Sequence, residues 1–145
     1  MSRSRVVLLP YTAASVGAAR KHVIADLRSA GIFEPTETDA AIVVSELMTN
    51  ALRHANPLPG AVIRVGWELA TDHVELEVSD GGGSTLPALG EPGQSATSGR
   101  GLGIVEKLSR RWGVRQDGEE LTVWAEVAVP VARRDQRLTH AASDA

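Results

Sequence analysis

The chain of 145 residues contains no cysteine, which excludes a disulfide framework, a thiolate metal site and a cysteine nucleophile. It has no apolar run long enough to cross a bilayer, and the run in MSRSRVVLLPYT is too short for a signal peptide. With a net charge of −3 and dispersed basic residues, it lacks the electrostatic footprint of a nucleic-acid-binding protein. We therefore expect a cytoplasmic protein without nucleic-acid or membrane partners.

The apolar fraction of 43% is that of an ordinary soluble protein, and the length suits one compact domain. Apolar periodicity then indicates whether each segment is a helix or a strand. The predicted order is a strand at 6–9, a helix at 12–30, a second helix ending at 55, strands at 63–69 and 74–79, a helix at 102–108 and a hairpin around Asp117-Gly118. Thr36 or Thr38 is predicted to cap the start of the second helix. This order predicts an α/β two-layer sandwich, with a mixed, mostly antiparallel sheet and the helices on one face.

Three polar residues recur at every fourth position in SELMTNALRHA, residues 45–55. Side chains four apart lie on one helix face, so Glu46, Asn50 and His54 form a row beside the apolar stripe. A carboxylate beside a neutral amide suits phosphoryl transfer, because the amide oxygen can bind Mg²⁺ while the carboxylate orients or deprotonates a nucleophile. The alternative is that Glu46 and Asn50 lie on the outer flank of the helix and point to solvent.

A carboxylate directly follows a predicted strand in VSDGGG, residues 78–83. Strand alternation places Asp80 in the same row as the apolar residues of that strand, and therefore on the apolar face. A ligand with an exocyclic amine, such as adenine, would satisfy this carboxylate, and the glycines behind it would let a flat ring approach the backbone. Asp-Gly after a strand is also a common turn signal, and both interpretations can hold.

Glycines at positions 99, 101 and 103 lead into a helix in SGRGLGIVEKL, residues 98–108. Free backbone N–H groups at a helix start bind phosphate, and Arg100 adds a positive charge for a terminal phosphate. The dinucleotide fingerprint is not met, because Ile104 occupies its last position, and no Walker A sequence occurs in the chain. The alternative interpretation is a flexible hinge.

These motifs, in this order and with the Gly-, Ser- and Pro-rich segment 81–100 as a lid, resemble the N, G1 and G2 boxes of the GHKL ATPase superfamily. The stretches ELMTNALRHA and GRGLGIVEKLSRRWG are similar to the bacterial anti-sigma regulatory factors. Proteins of that branch are serine/threonine protein kinases that bind sigma factors and phosphorylate anti-anti-sigma partners. The resemblance implies a Bergerat ATP-binding fold over residues 1–130, followed by a disordered tail at 131–145.

The resemblance also implies roles for individual residues in binding and using Mg·ATP. Asn50 would hold Mg²⁺ against the phosphates of ATP, and Glu46 would act as general base or orient the attacking hydroxyl. Arg100 would assist catalysis at the terminal phosphate, and Asp80 would read the adenine amine. The remaining nucleotide-binding positions are His54, Gly82, Gly101, Leu102, Gly103 and Thr122. Strand alternation turns Thr122 away from the apolar residues on either side of it.

The resemblance implies a sigma factor and an anti-anti-sigma (STAS-type) protein as partners, and a possible homodimer through the first helix. Ser84 stands where the G1 pattern has glycine, and the chain has no room for the phosphoacceptor helix of a histidine kinase. The missing phosphoacceptor helix disfavours autophosphorylation on histidine. Because of Ser84 and the absence of an obvious lysine near the lid, one alternative is a nucleotide-sensing module that sequesters a regulatory partner without phosphoryl transfer. Another is a structural domain whose glycines only make turns.

Overall fold

The computed structural model describes residues 3–83 and 102–130. Within them, the order of helices and strands is the predicted one. The elements are β1 (Arg3–Pro10), α1 (Ala14–Ser29), α2 (Thr36–His54), β2 (Val62–Leu69), β3 (His73–Asp80), α3 (Leu102–Leu108), β4 (Arg111–Asp117) and β5 (Glu120–Ala128). The predicted lid from residue 84 onward, with Arg100 and Gly101, lies outside the described residues, and so does the tail at 131–145.

The five strands form one sheet in the order β1-β2-β3-β5-β4, and every pairing between them is antiparallel. Short turns join β2 to β3 and β4 to β5, and chain reversal by a short turn makes neighbouring strands antiparallel. Gly118 has a φ of +63° in the second turn, as the Asp-Gly pair predicted. The predicted fold class is confirmed, with the sheet antiparallel throughout.

Helices cover one face of the sheet, and the apolar core lies between the two layers. Alternate residues of each strand point into this core, so that Val65, Val78 and Val123 are cross-strand neighbours in one buried row. Burying a valine or leucine side chain contributes about 1.5–3 kcal/mol, which makes the sheet–helix contact the main source of stability. We call the opposite face, which carries Glu77, Ser79 and Thr122, the open face; no described helix packs on it.

The ends of the helices explain how α1 and α2 are attached. α1 is followed by Gly31, whose φ of +79° ends the helix in the left-handed conformation that glycine permits. The prediction that Thr36 or Thr38 caps α2 is wrong, because neither hydroxyl bonds to a backbone N–H of its first turn. The Thr36 hydroxyl instead donates to Ala128 O at 3.1 Å and ties the start of α2 to the end of β5.

None of the helices within residues 3–83 and 102–130 has both the length and the apolar character needed to cross a membrane.

Candidate functional site

The polar row of α2 is largely turned toward the inside of the protein. Asn50 is only 4% exposed, while Glu46 and His54 are half-buried. α2 packs against both β3 and α3, so the row lies in a layer that is covered on more than one side. The alternative that Asn50 points to solvent is therefore wrong.

The Asn50 side chain has a buried oxygen that accepts no hydrogen bond from the described residues. Leaving such an acceptor unsatisfied costs about 1–3 kcal/mol, and buried polar groups without partners are rare in native proteins. A neutral amide oxygen is a suitable ligand for Mg²⁺, which usually takes one or two protein oxygens and completes its shell with water and phosphate oxygens. The unsatisfied Asn50 Oδ1 therefore fits a cation held jointly by the protein and a phosphate-bearing ligand.

The described residues contain no group of three or more carboxylate or imidazole side chains that would hold a metal by themselves. A cation at Asn50 would thus depend on ligand oxygens for most of its shell. This is the arrangement expected where a nucleotide brings its own metal ion.

Asp80 lies at the end of β3, on the helix-covered face, as strand alternation predicted. It is 2% exposed, and its Oδ1 accepts a hydrogen bond from Gly82 N at 2.7 Å. Gly82 has a φ of +80°, and a Cβ there would lie 2.6 Å from Glu119 O. Gly82 is therefore required for both its conformation and its contact.

Tyr11 connects the end of α2 with the region of Asp80. Its hydroxyl lies 2.6 Å from Ala51 O and 2.7 Å from Ala55 O, so its single proton is shared between two carbonyls of the last turn. Burial raises the pKa of the Tyr11 phenol, and the nearby negative charge of Asp80 raises the pKa further. Tyr11 is the only tyrosine of the chain, and no local sequence pattern identified it as part of this region.

The structure does not bring Thr122 together with Asp80. Thr122 pairs with Ser79 across the sheet, and their hydroxyls are hydrogen-bonded at 2.6 Å on the open face. The residue opposite Asp80 on β5 is Leu121, which is 2% exposed. The wall beside Asp80 is therefore apolar at this position, because strand alternation turns the neighbouring hydroxyl to the other face.

The Gly-rich motif is described only from Leu102 onward. Leu102 and Val105 are buried, and α3 packs on α2, so the start of α3 lies near the helix that carries Asn50. The Leu102 side chain is 1% exposed and belongs to the apolar core. Within the described residues, a Cβ at Gly103 would meet no atom within 4 Å. Packing in this part of the chain therefore gives no reason for glycine at position 103.

Comparison with known proteins places the chain in a family and identifies a similar fold. A family model described as the histidine kinase-like ATPase domain matches residues 9–127. No curated protein matches the chain at a significant level. The crystal structure of the RsbU and RsbW domains of Rv1364c from Mycobacterium tuberculosis is similar in fold, with a TM-score of 0.67 and 19% sequence identity. The match covers 88% of this chain and 33% of that one, so this chain spans about a third of its length.

Proposed function

The chain belongs to the histidine kinase-like ATPase domain family, as its motifs predicted, and on that premise we propose that it is an ATP-dependent serine/threonine protein kinase. Its substrate is an anti-anti-sigma protein, and phosphorylation of that partner decides whether the chain holds a sigma factor. The similar fold in a structure with an RsbW domain supports placing the chain in the anti-sigma regulatory branch.

The observation that carries the proposal is the buried Oδ1 of Asn50, which has no hydrogen-bond partner among residues 3–83 and 102–130. An amide oxygen in a structural role would have been paired with a backbone or side-chain donor, because burial without a partner is costly. Asn50 stands one helical turn after Glu46, and α2 packs against the strand that ends at Asp80. We thus assign metal binding to Asn50 and proton transfer to Glu46, both on α2, and recognition of the base to Asp80 at the end of β3.

The proposed reaction transfers the terminal phosphoryl group of ATP to a serine or threonine hydroxyl of the partner. A bond forms between the hydroxyl oxygen and the γ-phosphorus, the bond from γ-phosphorus to the bridging oxygen breaks, and ADP leaves. Glu46 orients the hydroxyl and takes its proton, which a half-buried carboxylate on the same helix face as Asn50 can do. Mg²⁺ bound at Asn50 would neutralise charge on the phosphate oxygens.

The Asp80 carboxylate can distinguish adenine from guanine. A buried carboxylate accepts hydrogen bonds, and the exocyclic amine of adenine donates them, whereas the oxygen of guanine at that position does not. Binding of ATP over GTP is therefore part of the proposal, with Asp80 as the residue responsible.

The test is phosphorylation of purified anti-anti-sigma candidates from the same genome, with Mg·ATP labelled on the γ-phosphate. We expect label on a serine or threonine of one candidate. Glu46→Gln should reduce labelling at least about 100-fold, a loss in the range reported for general bases, while ATP affinity changes little. The matched control is Glu106→Gln, which changes an exposed carboxylate on α3 and should leave the rate unchanged.

Absence of label on every candidate, with ATP binding intact, would contradict kinase activity. That result would favour the alternative function, a module whose partner binding depends on ATP or ADP without phosphoryl transfer. The alternative predicts partner binding that changes with the nucleotide and survives Glu46→Ala.

A further inference from the structure

The turn that follows β3 is hydrogen-bonded to the short segment that follows α2. Asn56 N donates to Gly82 O at 2.8 Å, and Gly81 N donates to Asn56 O at 2.8 Å. The Asn56 side chain adds a third bond, from Nδ2 to the same Gly82 O at 3.1 Å. The Gly82 carbonyl therefore accepts two hydrogen bonds from a single residue.

Three successive glycines allow these two segments to touch through their backbones. A Cβ at Gly81 would lie 2.3 Å from Pro57 O, and a Cβ at Gly83 would lie 2.5 Å from His54 O. Real Cβ atoms do not approach backbone oxygens so closely, so any side chain at either position would force the segments apart. The DGGG sequence thus sets the distance between the end of α2 and the end of β3.

The hydrogen bonds continue from Asn56 through Gly82 to Asp80. Gly82 O is held by Asn56, and Gly82 N donates to Asp80 Oδ1 at 2.7 Å. Both polar groups of the Gly82 backbone are therefore fixed, one by the segment after α2 and the other by the base-reading carboxylate. A displacement of Gly82 would change the orientation of Asp80.

We propose that Asn56 is a positioning residue for base recognition: its carboxamide fixes Gly82, and through Gly82 the Asp80 carboxylate, relative to the helix that carries Asn50. This inference rests on the proposed nucleotide-binding function. The bond from Asn56 to Gly82 spans 26 positions of the chain, so no local sequence pattern indicates this role.

If Asn56 positions Asp80, its loss should weaken recognition of the exocyclic amine of adenine and leave the rest of triphosphate binding unchanged. Asn56→Ala removes the Nδ2 donor and leaves both backbone hydrogen bonds in place, so the fold should be retained. The loss of one hydrogen bond that orients Asp80 should weaken ATP binding about five- to tenfold. Purine riboside triphosphate, which carries hydrogen in place of the amine, should bind the variant as it binds the wild type.

The experiment measures the dissociation constants of Mg·ATP and Mg·purine riboside triphosphate by calorimetry, for wild type, Asn56→Ala and Asn56→Gln. We expect wild type to prefer ATP at least about tenfold, as a base-reading hydrogen bond to a buried carboxylate would give. The preference should fall about five- to tenfold in Asn56→Ala, and Asn56→Gln, which keeps an amide donor, should recover part of it. The control is Gln116→Ala, which changes an exposed side chain that lines the same surface pocket as Asn56 and Gly82, and it should keep the wild-type preference.

The outcomes separate this inference from the proposed function. If wild type binds neither triphosphate, the proposed function fails. If wild type prefers ATP and Asn56→Ala keeps that preference, or weakens both ligands equally, the positioning role is refuted. If Asn56→Ala does not fold, Asn56→Ser replaces it, because its shorter side chain does not carry the donor as far. An unchanged preference for ATP in Asn56→Ser would overturn the inference.

Discussion

Asp26 on α1 and Asn50 on α2 are two polar side chains with nearly equal burial, at 3% and 4% exposure. Asp26 has partners on both oxygens: Trp67 Nε1 donates to Oδ2 at 2.8 Å, and Arg3 Nη2 donates to Oδ1 at 2.5 Å. A second arginine, Arg5, lies 3.6 Å from Oδ1. The Oδ1 of Asn50, in contrast, accepts nothing within the described part of the chain.

The difference shows that burial alone does not identify a functional polar residue. Asp26 joins α1 to the sheet, since its partners belong to β1 and β2, and its hydrogen-bonding capacity is used within the fold. Asn50 is held by the same kind of helix–sheet packing, yet its oxygen has no hydrogen-bond partner among the described residues. We infer that Asp26 serves stability and Asn50 serves ligand binding, and variants can test each half of this inference separately.

The largest effect on stability should come from Asp26→Ala. It would leave the Trp67 indole N–H buried without an acceptor and remove the partner of two arginines, at a cost of about 3 kcal/mol. Urea unfolding at neutral pH measures the loss. Glu106→Ala, at an exposed position of α3, should leave the midpoint unchanged. A loss as small as that of the control would mean that Asp26 is not a structural anchor.

Trp67→Phe removes the hydrogen-bond donor to Asp26 Oδ2 and leaves the arginine contacts with Oδ1. One oxygen of Asp26 would then lack its donor, as Asn50 Oδ1 lacks one among the described residues. We expect a loss of about 1–2 kcal/mol in the free energy of unfolding, smaller than that of Asp26→Ala, since one oxygen stays paired. Trp67→Phe should cost less in the Asp26→Ala background than in the wild type, because only the packing of the indole ring is then lost. Additive losses in this cycle would show that the two side chains do not act as a pair.

Asn50→Ala should change the free energy of unfolding by no more than about 1 kcal/mol in the absence of nucleotide. Removing an acceptor that has no partner in the described part of the chain relieves its desolvation penalty, which offsets the packing that is lost. The same denaturation experiment compares it with Asp26→Ala. A loss as large as that of Asp26→Ala would mean that the Asn50 oxygen is structurally satisfied, and the contrast between the two residues would disappear.

Tyr11→Phe should have the smallest effect on the free energy of unfolding, and this effect appears only at high pH. Burial and the charge of Asp80 raise the pKa of its phenol in the folded state. Its contribution to stability is therefore fully present below the unfolded value of about 10, and it is lost as the pH rises through the folded pKa. Unfolding between pH 9 and 11.5 should show a steeper loss for wild type than for Tyr11→Phe. Equal slopes would contradict this assignment, since the chain has no other tyrosine.

Positions that follow from strand alternation or helix spacing could be predicted from the sequence. Alternation in β3 placed Asp80 on the helix-covered face, and the four-residue spacing placed Asn50 beside the apolar stripe of α2. The bond between Asp26 and Trp67 joins residues 41 positions apart, and the Tyr11 hydroxyl reaches carbonyls 40 and 44 positions away. Such contacts depend on how the layers pack, and no local pattern encodes them.

The most direct test of the central claim is calorimetric titration of Mg·ATP into wild type and Asn50→Ala, with Thr49→Ala as a neighbouring control on the same helix. We predict saturable binding to wild type and to the control, and an affinity at least about 100-fold lower in Asn50→Ala, as expected when a metal ligand is lost. Equal binding by wild type and Asn50→Ala, or no binding by folded wild type, would contradict the assignment of the Asn50 oxygen to a metal-nucleotide site.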